Sequence, residues 1–276
     1  MTNPGPRWAG LDLATPRVMG ILNVTPDSFS DGGRHGATDA AITAGFKMVE
    51  EGADIVDVGG ESTRPGADPI PPEAEQARIL PVIRELAAGS VLVSVDTRHA
   101  ATMAAALDAG AAIVNDVSGL AHDPDAAAVV ASHDCPVVIM HMRGTPATMN
   151  ALAEYRDVVA EVRAELRARL NAAMAAGIRA ERIMVDPGLG FAKTAEQSVA
   201  LLRDLRAAVP PALPILVGLS RKRFIGMLSA EARADRRLGG SLAAGLFALS
   251  RGASVLRVHD VRETVQGVRV WHALSM

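Results

Sequence analysis

A chain of 276 residues with 49% hydrophobic and 21% charged side chains can bury a large core, which excludes a disordered protein. Its formal net charge of -3 supplies no overall field to draw in nucleic acid or an anionic membrane, so neither is expected as a partner and any anion site must be local. The N-terminus MTNPGPRWAG lacks an apolar leader and no stretch approaches the roughly 20 apolar residues of a bilayer span, so a soluble cytoplasmic protein is expected.

Residues Met1 to Thr15 read as an irregular lead-in. The first β-branched run, Val18 to Val24, overlaps the polar stretch NVTPDSFSDGG from Asn23 to Gly33, crowded with hydroxyls, carboxylates and a glycine pair. Further short apolar runs follow at Ile55 to Gly60, Val91 to Thr97, Ala112 to Val117, Pro136 to Met142, Ile183 to Asp186, Ile215 to Ser220 and Val255 to Val258. Cys135, the single cysteine, opens the fifth run and reads as a small packed hydrophobe in a reducing compartment. Ala-, Leu-, Glu- and Arg-rich segments with helical spacing separate the runs, most clearly Glu154 to Ala176 and Thr194 to Ala208. ADRRLGGS reads as a loop leading into a helix near Ser241. Eight strands alternating with helices imply right-handed βαβ units in a parallel sheet. Units of this size fit a single-domain α/β fold, a closed (β/α)8 TIM barrel; an open doubly wound sheet is the alternative.

In a closed barrel the active site sits on loops after the C-terminal strand ends. Polar residues collect there: Asn23, then GGESTRPG, SVDT, NDVSG, MHMRG, VDPGLGF, GLSRKRF and RVHD. Turn formation and helix capping explain about half of such residues. They leave unexplained why Asp96, Asn115 and Asp186 recur at equivalent ends, and why Arg64, Lys222, Arg257 and His259 occupy others. A buried carboxylate is costly unless it meets donors, so the acids point to a ligand rich in N–H groups. With Lys222 as a donor, the set matches an aminopyrimidinone ring. Arg257, His259 and Arg64 form a local cationic group of the kind that binds a phosphoryl group.

In this order NVTPDSFSDGG, GGESTRPGA, SVDT, NDVSG, DPGLGFAKT, GLSRKRFIG and RVHDV resemble the signature blocks of the dihydropteroate synthases, pterin-binding TIM-barrel transferases of folate synthesis. The resemblance covers nearly the whole chain. It implies condensation of 6-hydroxymethyl-7,8-dihydropterin diphosphate with 4-aminobenzoate, giving 7,8-dihydropteroate and diphosphate. It carries pterin binding to Asp96, Asn115, Met140, Asp186, Gly218 and Lys222. Diphosphate binding falls to Asn23, Arg64, Arg257 and His259, with Asn23 the ligand of a Mg²⁺ cofactor. Aminobenzoate binding falls to Phe29, Thr63, Arg64, Pro65, Phe191 and Arg223. Catalysis is carried by Asp96, Asp186, Lys222, Arg257 and His259 through an SN1-like ionisation. The first loop is expected to close over diphosphate, with Asp27 and Asp31 in its polar closure and Gly32 and Gly33 giving it backbone freedom. Sulfonamide binding and a homodimer are further implications of the resemblance.

Other features carry plainer readings. His141, inside an apolar strand, reads as a satisfied core residue and stays outside the site. The first strand has no HxH pair, which argues against histidine-ligated zinc. Glu161 and Glu165, with Arg163 and Arg167, read as a solvated helix face. Arg143 in MHMRG reads as neutral, while Leu189 and Arg223 depart from the family pattern and bear on pocket shape and on the aminobenzoate carboxylate. Two other functions stay open: a pterin-binding methyltransferase serving a corrinoid protein, which would not need the STRPG loop or the diphosphate pair, and a non-catalytic pterin-binding paralogue.

Overall fold

The computed structural model describes residues 7–25, 33–63 and 66–275, with residues 33–35 described for their backbone alone. A two-stranded antiparallel ribbon, β1 (Arg7–Trp8) and β2 (Leu11–Asp12), precedes eight parallel strands. These are β3 (Arg17–Asn23), β4 (Ile55–Gly59), β5 (Val93–Asp96), β6 (Ile113–Asp116), β7 (Val137–Met140), β8 (Ile183–Asp186), β9 (Leu216–Gly218) and β10 (Val255–Val258). Hydrogen bonding runs β8-β7-β6-β5-β4-β3-β10-β9, and a parallel bridge between Val185 and Ile215 joins the two ends. The sheet is therefore closed, as the alternation of strand and helix predicts, and the open sheet is excluded. Among the described residues the helices outside it are α1 (Gly33–Glu50), α2 (Pro72–Ala88), α3 (Ala100–Asp108), α4 (Ala126–His133), α5 (Val158–Ala175), α6 (Ala195–Arg203), α7 (Arg223–Ser229), α8 (Leu238–Ser250) and α9 (Val261–Ser275).

The strands are continuous apolar runs because both faces are covered. Outward residues such as Val56, Val58, Val95, Val114, Ile139 and Val185 pack under the helices. Inward residues Met19, Ile55, Ile113, Val138, Met184, Leu216 and Val255 fill the lower barrel. In α5 the spacing Val158, Val162, Leu166 and Leu170 turns one stripe onto the sheet.

Several boundaries differ from the sequence reading. The lead-in is not wholly irregular: the β1–β2 ribbon drives Trp8 into the barrel floor, where it is 2% exposed and its indole Nε1 donates to the Arg182 carbonyl at 2.8 Å. Filling that end with one large aromatic ring is worth on the order of 3–5 kcal/mol, the usual cost of truncating a buried tryptophan. The fifth helix starts at Val158 because the Asp157 side chain caps the N–H groups of Val159 and Ala160. The sixth ends at Arg203, short of Ala208, after a start fixed by a Thr194/Gln197 capping box. Helix α8 begins at Leu238, ahead of Ser241, and Gly240 permits its close approach to α7, since a Cβ there would meet Ile225 at 2.5 Å.

Candidate active site at the strand ends

Side chains alternate along a strand, so parity with the floor residues decides which strand-end residues enter the barrel. Asn23 shares parity with Met19, Asn115 with Ile113, Met140 with Val138, Asp186 with Met184, Gly218 with Leu216, and Arg257 with Val255. Asp96 lies level with Asn115 in register, and Gly59 lies level with both Asn23 and Asp96. Seven residues named from the sequence thus converge on one mouth.

The same parity brings in Asp57 beside Ile55, a residue the sequence reading passed over. It is fully buried, and its Oδ2 accepts from Arg257 Nε at 2.6 Å and from Asn115 Nδ2 at 3.0 Å. Arg257 Nη2 donates to Asp96 Oδ2 at 2.6 Å. One guanidinium therefore ties two buried carboxylates, a geometry its planar fork suits. Burial pushes the Asp96 carboxyl up to about 7 against the pull of Arg257. The sequence reading grouped Arg257 with His259 and Arg64 as a local cationic group; the structure adds that its charge is engaged by acids on β4 and β5, because its inward parity aims it across the barrel.

Opposite this group, Asp186 Oδ1 accepts from the Gly188 N–H at 2.7 Å, and burial raises its carboxyl while Lys222 lowers it. Lys222 Nζ donates to the Leu189 carbonyl and lies 4.5 Å from the Phe191 ring centroid. Burial lowers the Lys222 ammonium to about 8, opposed by Asp186. Lys222 is aimed by a constrained turn: Arg221 adopts φ 60, its N–H donates to Ser241 Oγ at 2.9 Å, and its guanidinium forms a two-point pair with Asp260. His259 is fixed by Ser220, whose Oγ lies 3.1 Å from Nδ1 and accepts from the His259 N–H at 3.2 Å. Ser220 and Asp260 were not singled out from the sequence, although both lie inside motifs that were.

Phe191 packs half-buried against the cluster formed by Val117, Met140, Met142, Met149 and Ala192. The Leu189 side chain is fully buried in the outer core, so its departure from the family pattern touches the site through its carbonyl. Arg223 is exposed at the first residue of α7. Thr63 is half-buried on the second loop. The base of that loop is held by a buried Glu61–Arg98 pair, with both nitrogen–oxygen contacts at 2.9 Å, and Glu61 also accepts from the Ile70 N–H at 3.2 Å. Asp27, Phe29, Asp31, Gly32, Arg64 and Pro65 lie outside the described residues.

His141 is fully buried and satisfied, as its place in an apolar run predicts. Cys135 is likewise buried, and burial pushes its thiol up to about 11, which suits packing. The reading of Glu161 and Glu165 as a solvated face does not hold. Together with Arg169 they follow a four-residue spacing that places one stripe of α5 over the end of β7. Glu165 Oε2 lies 2.9 Å from His141 Nε2, and both glutamates bind Arg143, whose guanidinium sits 3.9 Å from the Tyr155 ring centroid. Arg143 is thus a structural tie, which the sequence reading treated as neutral.

Among the described residues no group of three or more His, Cys, Asp and Glu side chains could hold a metal ion, and no helix is long and apolar enough to cross a membrane.

Comparison with known proteins agrees with this geometry. The sequence profile described as "Pterin binding enzyme" matches residues 19–259. The chain is 49% identical to the dihydropteroate synthase of Mycobacterium leprae over 94% of both chains, and 44% identical to that of Neisseria meningitidis serogroup B over 96% of this chain and 95% of the relative. It is similar to the Xanthomonas albilineans dihydropteroate synthase structure with 4-aminobenzoic acid, with a TM-score of 0.92 and 48% identity over 99% of both chains. The structure of that enzyme with 7,8-dihydropteroate superposes with a TM-score of 0.87 at 46% identity, covering 96% of this chain and 95% of the other. With a profile match across the barrel and relatives aligned over nearly their full length, this chain belongs to the dihydropteroate synthases, transferases of the pterin-binding enzyme family.

Proposed function

We propose that this single-domain barrel condenses 6-hydroxymethyl-7,8-dihydropterin diphosphate with 4-aminobenzoate, releasing 7,8-dihydropteroate and diphosphate. The observation that carries the reading is the convergence of Asp96, Asn115, Asp186 and Lys222 on one mouth beside Arg257. Asp186, Asn115 and Asp96 take the amino and ring N–H groups of the pterin, Lys222 donates to its ring acceptors, and Met140 and Gly218 line the ring faces. Phe191, Thr63 and the backbone near Arg223 receive aminobenzoate.

The reaction on this reading is dissociative. The bond between the pterin methylene and oxygen breaks, its electron pair leaves with diphosphate, and the cation is delocalised into the electron-rich ring. The aniline nitrogen then forms the C–N bond and gives up a proton to solvent. Asp186 and Asp96 favour the cationic ring, while Arg257, reaching from its Asp57 anchor, and His259, oriented by Ser220, hold the departing anion. Aniline is a weak nucleophile, adequate only because it is held against the cation.

Asn23 offers one neutral carbonyl oxygen at a strand end. That donor set fits a magnesium ion bound chiefly through substrate phosphates, the usual habit of this ion. When bound, Mg²⁺ would neutralise charge on the leaving diphosphate.

The reading includes a cytoplasmic homodimer. The exposed apolar side chains Met227 and Leu228 of α7, Phe247 of α8, and Val270 and Leu274 of α9 support the dimer, and sedimentation velocity tests it.

Diphosphate release is measured with and without 4-aminobenzoate and Mg²⁺, while dihydropteroate is followed by chromatography. Product that requires all three is the expected result; pterin binding without turnover would point to an inactive paralogue. A pH dependence follows from Lys222. Its ammonium is present below about 8 and lost above, so pterin binding should weaken as pH rises from neutrality through that value, measured by calorimetric titration across the range. Affinity that is flat to pH 10 would remove Lys222 from the pocket.

A further inference from the structure

Lys193 is buried behind the site and is given no substrate contact in the function proposed above. Its Nζ lies 2.9 Å from His141 Nδ1 and donates to the carbonyls of Phe191 at 2.9 Å and His141 at 3.4 Å. The proton positions follow from the chain of partners. Glu165 is held down to about 2, chiefly by its bond from His141, so it is an acceptor only and His141 Nε2 must carry the hydrogen. Burial lowers His141 to about 4, so the ring is neutral, its Nδ1 is a lone pair, and Lys193 is the donor. The segment this brace holds is pressed tightly on β7: Gly188 adopts φ 69, and a Cβ there would meet the His141 carbonyl oxygen at 1.9 Å. From that segment the Leu189 carbonyl and the Phe191 ring reach Lys222.

We infer that Lys193 is a positioning residue: through His141 Nδ1 and the carbonyls of His141 and Phe191 it locks residues 187–193 against β7, and so holds Leu189 and Phe191 where they orient Lys222. The inference rests on the function proposed above. Lys193→Met removes the donor while keeping an unbranched side chain in place. It should raise KM for 4-aminobenzoate about tenfold while kcat stays within about threefold, the pattern of misplaced binding groups. His141→Asn retains an acceptor near the Nδ1 position and should stay near wild type, whereas His141→Leu, which has the shape of asparagine without its acceptor, should match Lys193→Met.

Labelling of Lys222 by an amine-reactive probe, read by peptide mass spectrometry, should be faster in Lys193→Met and His141→Leu and unchanged in His141→Asn. This readout needs no turnover. Wild-type protein that makes no product would sink the synthase reading while labelling still judged the brace. The brace is overturned if Lys193→Met leaves both KM and labelling unchanged. It is equally overturned if His141→Asn and His141→Leu are impaired alike, since the loss would then follow packing rather than the acceptor.

Discussion

Arg257→Met should abolish turnover and destabilise the fold in a manner that grows with pH. The guanidinium is the shared cation of Asp57 and Asp96, with both contacts at 2.6 Å, and removing one partner of a buried ion cluster costs on the order of 3–5 kcal/mol. The sign of the pH effect comes from Asp96, whose folded value of about 7 stands above the ordinary 3.8. Its contribution to stability is fully present below the ordinary value and is lost as pH rises through about 7, because the folded state holds the proton that the unfolded chain releases. Taking Arg257 away removes the main force that lowers Asp96, so the loss extends to higher pH. Melting temperatures at pH 5 and pH 8 are the measurement: the gap between variant and wild type should widen at pH 8. A gap of equal size at both values would mean that Arg257 does not hold these carboxylates.

Asp186→Asn should give the opposite combination, a stable protein that binds pterin poorly. The amide oxygen can still accept from the Gly188 N–H, now at 2.7 Å from Oδ1, so the local turn survives. The other position becomes an NH₂ group, which meets the N–H groups of the pterin donor to donor. Lys222 also loses the carboxylate that raises its ammonium. Removing a charge-assisted hydrogen bond and leaving a buried donor unsatisfied together cost about 3 kcal/mol, or roughly 100-fold in Kd. Because burial raises the Asp186 carboxyl, its ionisation opposes folding at neutral pH, and the neutral amide should leave the melting temperature unchanged or higher. Calorimetric titration with the pterin diphosphate, beside thermal melts, reads both. Unchanged affinity would remove Asp186 from the pocket, and a parallel fall in melting temperature would make its role structural.

Much of the site was legible because each strand end carries a local signal. Asp186 closes a short apolar run, and Asp96 and Asn115 lie within two residues of the ends of theirs, where a polar residue beside a motif is conspicuous without any tertiary information. Asp57 gives no such signal, since IVDVGG places it inside the run. Only the parity that also buries Ile55 reveals that it faces the barrel axis. Trp8 escaped for a related reason: a two-residue ribbon has too few positions to display a period, so its role as the floor of the barrel depends on Arg182, far away in the chain.

The amino-acid sequence by itself determined the alternation of strand and helix, the family resemblance and the residue types at the mouth, because periodicity and motif order are written locally, while the bridge between Val185 and Ile215 decided the closed barrel over the open sheet. Tertiary structure decided who pairs with whom. It turned Arg257 inward to Asp57 and Asp96, drew Glu161 and Glu165 from an assumed solvated face onto Arg143 and His141, and set Lys193 behind Phe191. Those pairings join strands and helices distant in the chain, and a side chain's partner across a barrel is fixed by strand register and closure, which no local pattern encodes.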